Sequence, residues 1–70
     1  MRIVKSEKST LTLAAAICDL SAVMPRAVSH LNDYVQSEGF PFHDFEITHV
    51  ATWYDSRWKE YRFTFRFRWL

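Results

Sequence analysis

Three histidines, one cysteine and a row of arginines carry most of the reactive chemistry that this 70-residue sequence offers. A metal site would require His30, His43 and His49 to converge with carboxylates such as Asp33 or Asp44, and their spacing matches no closed zinc pattern. His49 falls on the inward side of an expected strand, which predicts a packed imidazole with one nitrogen satisfied. Cys18 follows Ile17 in an apolar stretch with no basic neighbour to lower its pKa, and reads as a small core residue. Ser29, His30 and Asp33 lie within one helical turn, a grouping that suggests hydrolysis. On a helix surface such side chains radiate rather than meet, and no strained elbow accompanies them. The single glycine, Gly39, leaves no phosphate-cradling loop. The expectation is a protein that is not an enzyme, with no catalytic residues, no metal and no cofactor.

Binding chemistry is better represented. Arg62, Arg66 and Arg68 share the outward side of an expected strand, with Tyr54 and threonines beside them. Guanidinium groups on a rigid strand can grip phosphates bidentately, and a tyrosine can stack on a base. The same arginines can instead guard an aromatic strand against aggregation, with Glu46 neutralising part of the row. A second set comprises Trp53, Tyr54, Trp58 and Trp69 with Arg57 and Arg62, near the expected turn and the chain end. Tryptophan, tyrosine and arginine dominate interface energetics, and Trp58 has no evident core role.

Spacing defines the helix and strands that carry these residues. Residues 1–4 form a short strand, and residues 5–9 a polar connector ending in the helix-cap candidates Ser9 and Thr10. Leu13, Ile17, Leu20, Met24, Val28, Leu31 and Val35 recur at helical period and predict one long helix. Gly39, Phe40 and Pro41 close it. Pro25 either kinks this helix or opens a second one, and the unbroken phase of the stripe favours one helix. Phe45, Ile47, His49, Ala51 and Trp53 then alternate against Tyr61, Phe63, Phe65, Phe67 and Trp69, with a turn at residues 55–57. Pairing Trp53 with Tyr61 places Phe45 opposite Trp69 and all the large rings on one face, while Glu46 meets Arg68 and Thr52 meets Arg62 on the other. The fold class is α+β: a β-α-β-β layer with a long helix on a long antiparallel hairpin. A helix about 10 Å across cannot cover so many rings. Association through leftover sheet surface, or through the edge of the final strand, is expected.

Residues 22–31, Ala-Val-Met-Pro-Arg-Ala-Val-Ser-His-Leu, resemble the turn and early recognition helix of helix-turn-helix DNA-binding proteins. Cys18 and Ala22 stand as the small residues, and Val23, Val28 and Leu31 as the core positions. The resemblance implies that Arg26, Ser29, His30 and Asn32 face a major groove, with the hairpin as a wing. The order of elements, with Asp44-Phe45-Glu46-Ile47 opening the second strand, also resembles the dodecin type of small flavin-storing oligomer in topology. Asp44 and Arg62 stand where that family's flavin-stacking tryptophan and its glutamine would fall, so this resemblance implies no flavin.

Composition bounds the outcome. The chain is 49% hydrophobic and 17% aromatic, too apolar for disorder. Seventy residues allow one domain, residues 1–70, and a lone copy buries only about 60% of its unfolded surface. One cysteine rules out an internal disulfide framework, and with no signal-peptide pattern the expected setting is cytoplasmic. No apolar run reaches membrane-spanning length, and a net charge of +1 gives no global pull toward nucleic acid. Charge is segregated: residues 27–56 carry Asp33, Glu38, Asp44, Glu46 and Asp55 without lysine or arginine, and residues 57–70 are basic. The leading expectation is a self-associating interaction protein, a homodimer or higher homo-oligomer. It binds a larger protein or complex as an inhibitor or adaptor, a phage-borne modulator of host machinery being one form. The alternative is a small DNA- or RNA-binding regulator that uses Arg26, Ser29, His30 and Asn32, or Arg62, Arg66 and Arg68.

Overall fold

The computed structural model describes residues 1–38 and 44–70. Its elements are β1 (Arg2–Ser6), β2 (Thr10–Ala15), α1 (Leu20–Glu38), β3 (Phe45–Asp55) and β4 (Glu60–Trp69). All neighbouring strands are antiparallel in a four-stranded sheet of order β1-β2-β4-β3, with α1 packed on one face over β2 and β4. The α+β layer is therefore the one expected. The helix cap expected at Gly39, Phe40 and Pro41, and the imidazole of His43, lie outside the described residues.

Residues 10–15 depart from expectation. They form β2 and not the first turns of the helix. Thr10-Leu11-Thr12-Leu13 alternates with period two, and its β-branched threonines suit a pleated surface. Leu11 and Leu13 are fully buried opposite Phe65 and Phe63. On the other face Thr12 Oγ1 lies 3.2 Å from Thr64 Oγ1. Leu13 satisfies both periods, which is why a helical stripe could be drawn through it. Ile17, the next member of that stripe, is exposed in the link before the helix.

Asp19 starts α1 as an N-cap: its carbonyl oxygen accepts from the Ala22 and Val23 amides, and its Oδ1 accepts from the Ser21 amide at 3.1 Å. The buried line is Val23, Ala27, Leu31 and Val35, while Met24 and Val28 sit at its margin and Leu20 is exposed. Pro25 lies inside this continuous helix, on the exposed side. No second helix begins there, so the helix-turn-helix-like segment forms no helix pair.

The β3–β4 hairpin holds the expected register over its open end, with Phe45 opposite Trp69, Ile47 opposite Phe67 and His49 opposite Phe65. A bulge between His49 and Ala51 then adds one residue and shifts everything beyond it. Thr52 now faces Phe63, Trp53 faces Arg62, and Tyr54 faces Tyr61. Because side chains alternate, one inserted residue exchanges the faces of Trp53 and Tyr54. Trp53 leaves the ring-bearing face and joins the arginines, whereas the Tyr54 and Tyr61 rings meet at 5.0 Å. The final strand is also not an edge: β4 is bonded on both sides, and β1 and β3 are the edges.

The core lies between α1 and the β2–β4 centre of the sheet, where Leu11, Leu13, Val23, Ala27, Leu31, Phe63 and Phe65 are almost fully buried. His49 packs as expected of an inward histidine. Its ring tilts over Phe65 with centroids 5.6 Å apart, and its Nε2 is hydrogen-bonded to Thr52 Oγ1 at 2.6 Å. Among the described residues, no helix is long and apolar enough to cross a membrane.

Candidate functional site

Three of the six residues expected to bind a protein, Trp53, Arg57 and Trp58, are exposed at the turn end of the β3–β4 hairpin. Asp55 builds the turn, its Oδ1 accepting from the Arg57 amide at 3.0 Å and the Trp58 amide at 3.4 Å. Lys59 closes the turn with φ of 53°, a left-handed conformation that brings the chain back into β4. Beneath the turn lies a charge cluster. Arg2, from the far edge strand, reaches diagonally across β2 and grips both oxygens of Glu60, at 2.6 and 2.7 Å. Arg62 donates a hydrogen bond to Glu60 at 3.1 Å and forms an ion pair with Asp55 at 3.5 Å.

Burial separates the inner ion pairs of this cluster, Arg62 included at 12%, from its rim. The Asp55 and Glu60 side chains keep only 16% and 11% of their surface, against 85% for Arg57. The Arg2 guanidinium lies 5.8 Å from the centroid of the Trp58 ring, in cation–π range. Carboxylates therefore lie underneath, while Arg57, Lys59, Trp53 and Trp58 face outward. Arg2 and Glu60 were not among the residues singled out from sequence. Their pairing crosses β2, and the one local hint is the run of small residues Ala14, Ala15 and Ala16 that leaves room for the Arg2 side chain.

The hydrogen bond from Arg2 and the charges of Arg2 and Arg62 hold the Glu60 carboxyl below its ordinary pKa, against the opposing effect of desolvation. A carboxylate shifted down in the folded state stabilises the fold above the unfolded-state pKa, and this contribution disappears as pH falls through the folded-state value. In thermal unfolding followed by circular dichroism, wild type should exceed Glu60→Gln in stability near neutral pH. The gap should close on acidification below the ordinary carboxylate range. A gap constant with pH would mean that the ionisation of Glu60 contributes nothing to folding.

Other expected site residues are dispersed. Trp69 lies at the far end of β4, about 30 Å from the turn, edge-on to Phe45 and Phe67 at 5.6 Å each. It belongs to the core margin. Tyr54 is exposed near the turn, but on the helix-bearing face. Arg26, Ser29, His30 and Asn32 lie on α1, so the sheet separates them from Arg62, Arg66 and Arg68. Within the arginine row, Arg62 is buried in its ion pairs, Arg68 holds Glu46 at 2.7 Å, and Arg66 is exposed.

No protein-family model, curated protein or solved structure matches the chain.

A cleft of about 450 Å³ opens between the β1–β2 turn and α1, lined by Ser6, Lys8, His30, Leu31, Tyr34 and Trp69 among others. Ser6 Oγ lies 3.5 Å from His30 Nε2, at the outer limit of a hydrogen bond. His30 thus meets Ser6 across the cleft, rather than Ser29 or Asp33 in its own helix. Among the described residues no three His, Cys, Asp or Glu side chains group as metal ligands, and Cys18 is exposed, not part of the core.

Proposed function

We propose that this chain is a non-enzymatic interaction module that self-associates and binds a larger protein through the turn end of the β3–β4 hairpin, occupying its surface as an inhibitor or adaptor. The observation that carries this reading is the exposure of Trp53 and Trp58, at 47% and 63%, beside Arg57 and above shielded carboxylates. Trp53 on the end of β3 and Trp58 on a tight, ion-paired turn lose little freedom on binding, the property of interface anchors. With Asp55 and Glu60 covered and Arg2 engaged by Glu60, the outward charge is that of Lys59 and of Arg57, whose Nε lies 3.9 Å from Asp55 Oδ1. The surface therefore suits a protein with an apolar recess rimmed by carboxylates. Phosphate binding by the sheet face has weaker support, since Arg62 and Arg68 are already engaged by carboxylates.

Immobilised wild type and Trp58→Ala, compared in lysate with and without nuclease, test the proposal. Wild type should retain a protein in a nuclease-insensitive manner, and Trp58→Ala should remain folded yet bind it about tenfold or more weakly. Retention unaffected by Trp58→Ala overturns the assignment of the turn end. Nuclease-sensitive retention that falls steeply with salt and is lost in Arg66→Ala would place the function on nucleic acid.

A further inference from the structure

The geometry points to a second copy of this chain docked edge to edge along β3, antiparallel and centred on Ile47, joining two sheets into one. This deepens the self-association in the proposed function and makes no use of the turn end.

The two sheet edges differ in how they are guarded. β1 is five residues long, bulged between Ile3 and Lys5, and carries Arg2 and Lys5, all devices that discourage strand addition. β3 runs for eleven residues without lysine, arginine or proline. Its first five, residues 45–49, hold unbroken register on β4 and present a regular edge, and the bulge redirects the rest of the strand. Since α1 packs on β2 and β4, the side chains of Phe45, Ile47 and His49 remain half-exposed on the face beside that edge.

Side-chain matching selects the register. Centring the two-fold on Ile47 sets Ile47 against its own copy, Phe45 against the other copy's His49, and Glu46 against the other copy's Thr48. Centring on Glu46 would oppose two carboxylates, centring on Phe45 would set Glu46 against Asp44, and centring on Thr48 or beyond would draw in the bulge. The Ile47 register also engages Arg66, which is exposed and meets no carboxylate among the described residues. Thr48 lies opposite Arg66 within the chain. Glu46 of the second copy, whose Oε2 its own Arg68 holds at 2.7 Å, would therefore bring Oε1 to within two strands of Arg66, with only a threonine between. Arg2 already reaches across one strand in this way, diagonally over β2 to Glu60 at 2.6 Å. A two-fold axis consumes both β3 edges, so the assembly closes as a dimer with only the guarded β1 edges outermost.

Sedimentation equilibrium from about 1 to about 200 µM provides the test. Wild type should dimerise. Thr48→Glu faces Arg66 in its own chain and so folds, as circular dichroism would verify, but it opposes Glu46 of the other copy twice. It should weaken dimerisation about tenfold or more, and Glu46→Lys, which gives up the Arg68 ion pair within its own chain and is checked for folding in the same way, should do likewise. An equimolar mixture of the two variants should recover dimer, because the introduced glutamate then faces the introduced lysine. A wild type that stays monomeric overturns both this interface and self-association. A dimer indifferent to both variants overturns β3 docking alone, and variants that weaken it without recovery on mixing overturn the Ile47 register.

Discussion

Phe65→Ala should remove most of the stability of this fold. Phe65 is wholly buried at the centre of the sheet, with Leu11 opposite on β2, His49 opposite on β3 and the helix above. Truncating a buried phenylalanine costs about 3–5 kcal/mol, through lost transfer energy and an unfilled cavity. A chain of this length has roughly 4–10 kcal/mol in total. No neighbour can collapse into the space easily, because the flanking rings of Phe63 and Phe67 are held in register on the same strand. Urea unfolding monitored by tryptophan fluorescence and circular dichroism should show a variant that is unfolded, or nearly so, at room temperature. A loss below about 1 kcal/mol would contradict a core centred on this ring.

Pro25→Ala should act in the opposite direction. Pro25 is the sixth residue of α1, well past the first turn in which a missing N–H is harmless. The Ser21 carbonyl has no amide hydrogen to accept at residue 25, and the ring crowds the preceding turn, at a cost of about 3 kcal/mol relative to alanine. Proline recovers part of this, about 0.4–1 kcal/mol, by restricting the unfolded chain. Pro25 is exposed, so its removal opens no cavity. The net expectation is a gain of about 2 kcal/mol and a clear rise in melting temperature. A loss of stability would mean that Pro25 starts a separate helical segment and that α1 is not continuous.

These two expectations differ in how far they could be read from sequence. The packing of Phe65 was legible, because Tyr61, Phe63, Phe65, Phe67 and Trp69 alternate without interruption and leave only one inward face. The passage of one helix through Pro25 was legible from the unbroken apolar phase, although the buried line falls on Val23, Ala27, Leu31 and Val35. The start of that helix was not, because Leu13 fits a four-residue step to Ile17 as well as a two-residue step from Leu11. Only the sheet beneath decides which neighbour buries it. The candidate site was legible in residue type, as tryptophans and Arg57 near a turn, but the Arg2–Glu60 ion pair that supports it joins positions 58 residues apart.

Local alternation was enough to establish the α+β layer, the strand pairing from Phe45 to His49 and the direction of the rings on β4, since each depends on a side chain and its immediate neighbours. Long-range packing alone settled that Trp53 faces outward, that β4 is interior and β3 an edge, and that Arg2 covers Glu60. A bulge costs one residue wherever it occurs and leaves no mark in the pattern, and strand order reflects competition among distant segments for the same apolar surface. Both are settled by the total burial of the folded chain, to which no short window of sequence has access.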